Sequence, residues 1–184
     1  MTNRLFVALD VPGDIKDQII SIRNNLYQSS ENVKWEKREK YHFTIKFLGD
    51  VEESKNEEII NTLADQLTDQ KKIYCEFDKF GFFFKNRQPK ILWLGLKFNE
   101  ELKSLADKVD SRLSNLGFTG EKSQFKPHLT ILRIKGYENI PAIMKFKDYP
   151  MPKLSFSCDG ITLIKSILKP DSSVYYNIEK FKFI

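Results

Sequence analysis

The chain has 184 residues, 41% of them hydrophobic and 13% aromatic, with 30 Lys and Arg against 25 Asp and Glu for a net charge of +5. Length and apolar content are enough for a real core, which excludes a disordered chain, and the mild positive excess suits an anionic partner such as RNA or a nucleotide without specifying one. Cys75 and Cys158 are too few and too far apart for a disulfide framework or a metal knuckle, so they read as core residues in a reducing, cytoplasmic setting. No charged-then-apolar leader opens the chain and no apolar run approaches the ~20 residues of a membrane span, so a soluble, unexported monomer is expected.

In chain order, Leu5 to Leu9 is a short apolar run that reads as a buried strand. Ile15, Ile19, Ile22 and Leu26 then recur at three and four and predict a helix from Pro12 to Gln28. Val33 to Trp35 reads as a short extended piece, and Tyr41 to Leu48 as a stronger strand stopping at Gly49-Asp50. Ile59, Ile60, Leu63 and Leu67 predict a helix from Glu53 to Thr68. Strands Ile73 to Phe80 and Lys90 to Phe98 flank a loop, Gly81 to Gln88, rich in phenylalanine and basic residues. Leu102, Leu105, Val109, Leu113 and Leu116 predict a helix from Glu100 to Leu116, with Gly117 where a left-handed cap belongs. Pro127 to Ile134, Lys153 to Leu168 and Val174 to Phe181 have strand composition. The order of elements, without a Gly/Ser linker, implies an α+β fold over residues 1–184 as a single domain.

The only two histidines sit in matching phrases, Tyr41-His42-Phe43-Thr44-Ile45 and Pro127-His128-Leu129-Thr130-Ile131. Side chains two apart on a strand share a face, so His42 projects with Thr44 and His128 with Thr130, while Phe43, Ile45, Leu129 and Ile131 turn to an apolar layer. Side by side, two such strands present two imidazoles and two hydroxyls to one cleft. That is a phosphate site with an acid and a base on either side, working near neutral pH. One H-x-T alone is more often structural. Two copies that use every histidine in the chain favour chemistry. No metal or cofactor is expected, because two histidines without a carboxylate or thiolate cluster fall short of a zinc or iron ligand set, and no glycine-rich phosphate loop is present.

The phrases His42-Phe43-Thr44-Ile45-Lys46-Phe47-Leu48-Gly49 and Phe125-Lys126-Pro127-His128-Leu129-Thr130-Ile131-Leu132-Arg133 resemble the paired motifs of the two-histidine phosphoesterases. The likeness is to the bacterial and archaeal RNA 2',3'-cyclic phosphodiesterases, also called 2'-5' RNA ligases. It extends to Arg4 to Leu9, Ile91 to Gly95, and Ser166 to Pro170 with Tyr175. The resemblance implies two lobes, each an antiparallel sheet carrying one motif, related by a pseudo-twofold and facing a central cleft with helices outside. It implies metal-free opening of a terminal 2',3'-cyclic phosphate of RNA or a nucleoside. In that reading His42 protonates the departing 3' oxygen and His128 activates water, while Thr44 and Thr130 hold phosphate oxygens. Arg133 grips the phosphate and Phe47 stacks on the base.

Strict alternation places Phe47 and Arg133 on faces opposite their histidines, so each strand must bulge, twist or end before them. The loop Phe82 to Arg87 either lines an RNA groove or closes the core as a surface hairpin, and Lys46 and Lys122 to Lys126 are further candidates for substrate contact. Two alternatives stay open: an enzyme whose useful direction is making or cutting a 2'-5' linkage, and a noncatalytic RNA-binding module.

Overall fold

The computed structural model describes residues 2–28, 33–119, 125–170 and 172–184. Eight strands and four helices alternate: β1 Thr2–Leu9, α1 Gly13–Leu26, β2 Phe43–Glu52, α2 Asn56–Leu67, β3 Ile73–Lys85, β4 Gln88–Leu96, α3 Glu100–Asn115, β5 His128–Arg133, α4 Ile140–Met144, β6 Ser155–Cys158, β7 Gly160–Leu168 and β8 Ser173–Lys182. They build two four-stranded sheets, in the orders β2-β1-β7-β8 and β5-β4-β3-β6, with every pairing antiparallel. The expected two-sheet α+β architecture is therefore present. In each sheet the strand with the H-x-T phrase lies at one edge, and the two edges, β2 and β5, lie against each other.

The unbroken apolar run of β1 follows from its place between β2 and β7, covered on both faces. Leu5, Val7 and Leu9 join the main core with Ile15 and Ile19 of α1, whereas Phe6 and Ala8 form a separate small cluster with Ile164 and Tyr175. That second cluster is the layer beneath His42. The three-and-four repeats of α2 and α3 bury Ile59, Leu63 and Leu67, and Leu102, Leu105, Val109 and Leu113, against the same core. Gly117 follows α3 at φ +90, as its position past the last turn predicts.

Four expectations need correction. Strand β2 does not stop at Gly49; it runs to Glu52, because Gly49 at φ +74 absorbs an irregularity that the ladder places next to it. The stretch Gly81 to Gln88 is a hairpin, with β3 reaching Lys85 and β4 starting at Gln88 across a two-residue turn in which Asn86 and Arg87 both take positive φ. Gly81 is no breaker. A Cβ there would fall 2.2 Å from Cζ2 of Trp93, so its missing side chain lets the indole lie across β3. Residues 33–35 form no ladder strand: Trp35 N–H donates to Val33 O at 2.9 Å in a three-residue turn, and the next N–H, of Glu36, donates to Ile131 O at 3.0 Å. Finally, Lys153 to Leu168 holds two strands in different sheets, β6 beside β3 and β7 beside β1, with the crossing at Asp159. Helix α4 was not expected from periodicity. Its signal is its start, where Asn139 accepts from Ala142 N–H and Pro141 occupies the first turn.

Candidate active site

The strand irregularities decide the geometry. Along β2, Ala8 pairs with Thr44 but Val7 with Lys46, so Ile45 is an extra residue. Along β5, Trp93 pairs with Thr130 but Leu92 with Leu132, so Ile131 is the extra one. Both motifs thus carry a β-bulge immediately after the threonine. Ile45 and Lys46, like Ile131 and Leu132, are buried together, and the bulge returns the next residue to the histidine's side. Phe47 and Arg133 follow and point outward, Phe47 at 61% exposure. The core position that alternation assigns to Phe47 is not the one it takes.

His42 stands just before β2, with its ring 5.0 Å from Phe6 and edge-on to Tyr175 at 5.5 Å. A hydrogen bond to the Lys40 backbone fixes it from behind. His128 opens β5, with Nδ1 2.8 Å from the Lys126 carbonyl and its ring edge-on to Phe83 at 4.9 Å. Each imidazole is therefore held by the backbone two residues upstream. For His128 that contact places the N–H on Nδ1 and leaves the Nε2 lone pair for chemistry. The two rings also feel each other electrostatically. Burial, then the ammonium of Lys16, and then the charges of His128 and Arg133 pull the His42 imidazole down to about 4, against the opposing Lys40 hydrogen bond.

Thr44 and Thr130 are half-buried on the same faces as their histidines, and among the described residues neither hydroxyl has a protein hydrogen-bond partner. Arg133 lies across from a residue that the sequence did not mark. Glu36, whose side chain is only 15% exposed, accepts from Arg133 Nε at 3.1 Å and pairs with Lys40 Nζ at 3.4 Å. Lys40 in turn lies over the Tyr175 ring at 5.7 Å. One segment of the first lobe thereby carries the histidine, its backbone anchor and the carboxylate that seats the second lobe's arginine. No periodicity or motif betrays Glu36, since its role exists only once residue 133 is opposite it. Burial also pushes the phenol of Tyr175 up.

Two further sequence candidates are only partly free for substrate. Lys46 lines the same cavity wall as His128 but is buried and paired with Asp110 of α3, so it ties the sheet to the helix. Of Lys122 to Lys126, residues 122–124 lie outside the described residues, and Phe125 and Lys126 line that wall. Of the hairpin phenylalanines, Phe82 packs against the core, as the surface-hairpin reading expects, and Phe83 meets the His128 ring. The thiols of Cys75 and Cys158 are buried and pushed up to about 12, far from a reactive thiolate.

A cavity of about 1120 Å³ opens beside the pair, with Thr44, Phe47, Phe83, Trp93 and His128 in its wall. The Trp93 indole spans its floor, close enough that a Cβ on Gly95 would come 3.0 Å from Cζ3. A smaller hollow of about 440 Å³ along α3 contains none of the motif residues.

Comparison with known proteins gives the family and the fold. A family model described as LigT like Phosphoesterase matches residues 9–93 and 96–175. The chain is 34% identical over 182 residues to the RNA 2',3'-cyclic phosphodiesterase of Methanocaldococcus jannaschii, covering 97% of this chain and 99% of that one. It is 29% identical over 180 residues to the protein of the same name from Thermotoga maritima, covering 98% and 95%. In fold it is similar to E. coli LigT crystallised with 3'-AMP, at a TM-score of 0.78 and 23% identity over 100% and 99% of the two chains. With the family model spanning both motifs and most of the chain between and around them, the protein belongs to the LigT-like phosphoesterases.

Proposed function

We propose that this chain hydrolyses terminal 2',3'-cyclic phosphates of RNA or nucleosides to 2'-phosphates, by acid–base catalysis between His42 and His128 and without a metal. The observation that carries the reading is the histidine pair itself. Edge strands of opposite sheets bring the two imidazoles into one electrostatic site, each anchored on a backbone group, each beside a threonine and a bulge. The names of the M. jannaschii and T. maritima relatives support the same reaction class.

In this mechanism water adds to phosphorus while His128 Nε2 takes its proton, the bond to O3' breaks, and His42 delivers a proton to that oxygen. The phosphate stays on O2'. Thr44 and Thr130 donate to the nonbridging oxygens, and the Arg133 guanidinium offsets charge that grows on them. Burial holds His42 at about 4 in the free protein, so the ring takes up its proton from solvent as the substrate binds. A phosphate anion bound beside the ring favours the imidazolium and raises its pKa.

The test is turnover of 2',3'-cyclic AMP in excess EDTA, with the product isomer identified by phosphorus NMR. Formation of 2'-AMP at an undiminished rate supports the reading. No turnover, or turnover restored only by an added divalent ion, rejects it.

A further inference from the structure

We infer that Tyr175 is a further catalytic residue, whose phenol hydroxyl donates a hydrogen bond to the phosphate as charge grows there. This rests on the hydrolytic reading of the site given above.

Contacts with three neighbours place the ring. Tyr175 lies on β8, where Val174 and Tyr176 on either side of it are exposed while Tyr175 itself turns to the small apolar cluster beneath His42. It packs edge-on against Phe6 at 5.2 Å and against the His42 imidazole at 5.5 Å. The Lys40 ammonium lies over the ring at 5.7 Å and pairs with Glu36, which in turn accepts from Arg133. The ring thus touches the proposed acid and, through Lys40 and Glu36, adjoins the arginine proposed to grip the phosphate.

Its hydroxyl is uncommitted. The buried phenol of Tyr41 accepts from Arg23 Nη1 at 3.2 Å, whereas among the described residues the half-buried phenol of Tyr175 has no hydrogen-bond partner. Glu36 does not supply one, since its two carboxylate oxygens face Arg133 and Lys40. A hydroxyl drawn partly out of water without a partner is unfavourable, and a phosphate oxygen arriving beside His42 and Arg133 is the acceptor it lacks. Burial, reinforced by the charge of Glu36 and opposed by that of Arg133, pushes the phenol up, so it keeps its proton through the neutral range and acts as a donor.

The chemistry has room for it. As water adds to phosphorus, negative charge builds on the nonbridging oxygens, and each accepts more than one hydrogen bond. A phenol therefore adds to the hydroxyls of Thr44 and Thr130 rather than displacing them. It transfers no proton, which leaves the acid and base roles with the two histidines.

The test is Tyr175→Phe, which keeps the ring against His42 and removes only the hydroxyl. Because that hydroxyl bonds nothing in the free protein, the melting temperature should stay at the wild-type value. kcat/KM for 2',3'-cyclic AMP should fall about 10- to 150-fold, the range for losing one hydrogen bond to a charged group, with the shape of its pH profile unaltered. Isothermal titration calorimetry should show weaker binding of 2'-AMP by a similar factor and unchanged binding of adenosine. Tyr176→Phe, on the exposed side of the same strand, should match the wild type throughout. A Tyr175→Phe protein with wild-type kcat/KM overturns the inference. So does a lower melting temperature, which gives the hydroxyl a structural partner, or an equal loss of affinity for adenosine, which moves its contact to the nucleoside. If the wild type turns over no cyclic phosphate, the hydrolytic reading fails and calorimetry decides alone. A loss confined to 2'-AMP then supports the phosphate contact, and undiminished 2'-AMP binding overturns it.

Discussion

The two halves of the site start from the same four-residue phrase and end with differently packed rings. Both strands are sheet edges, both bulge after the threonine, and both anchor the imidazole on the backbone two residues upstream. Their surroundings differ. His42 is packed between Phe6 and Tyr175 with Lys16 and Arg133 bearing on it, whereas His128 meets the edge of Phe83 and opens onto the cavity. A repeated motif therefore fixes where the nitrogens stand, while the unrepeated neighbours fix how each ring is packed and hold the His42 imidazole down.

The largest test of that division removes each ring in turn. His42→Ala and His128→Ala should each lower kcat by about 10²- to 10⁴-fold, with circular dichroism and thermal unfolding showing a retained fold. The double variant should lose little more than the worse single one, because the two residues act in one proton relay and their effects do not add. A single variant with near wild-type kcat takes that histidine out of the chemistry.

The comparison also explains what could be read from the sequence. Strand and helix identities followed from period, and the two motifs followed from the coincidence of both histidines with the same phrase. The reach of Phe47 and Arg133 did not, because a bulge is a property of the pairing between strands; it emerges only when Thr44 is set against Ala8 and Lys46 against Val7. Gly81 misled in the opposite sense. Taken as the start of a loop, it is the gap that admits an indole from a neighbouring strand. Glu36 was silent for the same reason, since its partner lies 97 residues away.

The second test concerns that carboxylate. Arg133→Ala should raise the barrier for every substrate by about 1.5 to 3 kcal/mol, the range for a hydrogen bond to a charged group, and Arg133→Lys should recover only part because an ammonium lacks the fork. Glu36→Gln should behave differently. It frees the guanidinium's charge toward the phosphate but loosens its aim, so KM and kcat should fall together. In an Arg133→Ala background the same change should do almost nothing, a coupling on the order of 0.5 to 3 kcal/mol in a double-mutant cycle. Additive effects would detach Glu36 from the arginine.

Phe47 and Phe83 allow a third contrast, one aromatic on each lobe. Phe47, exposed and beside Phe6 at 5.8 Å, is the proposed stacking face for the terminal base. Phe47→Ala should raise KM by an amount corresponding to ~1 to 3 kcal/mol, alike for adenine and cytosine substrates, with kcat little changed. Phe83 braces the His128 ring, so Phe83→Ala should act on kcat instead. Steady-state kinetics on the 2',3'-cyclic forms of AMP and CMP separate the two. An unaltered KM returns Phe47 to a purely structural role.

The smallest and most diagnostic effect is in pH. Sequence alone centres the pH response of the pair in the imidazole range, around 6 to 7.5, but burial holds His42 at about 4 against an ordinary 6.5. Between those values the unfolded chain binds a proton at this position that the folded one does not. Stability from this residue is therefore complete above pH 6.5 and declines as pH falls toward 4. Because the ring is only half-buried and meets water at the cleft, the loss should be on the order of 1 to 2 kcal/mol, less than the full shift implies. Urea unfolding midpoints should drop in the wild type as pH falls from 7 to 4 and flatten in His42→Ala. Because His42 acts as the acid, loss of its proton limits the rate as pH rises, and a bound phosphate anion, which favours the imidazolium, should carry the alkaline limb of kcat above that of kcat/KM. Coincident alkaline limbs in the two parameters would mean that the bound phosphate does not act on the His42 ring.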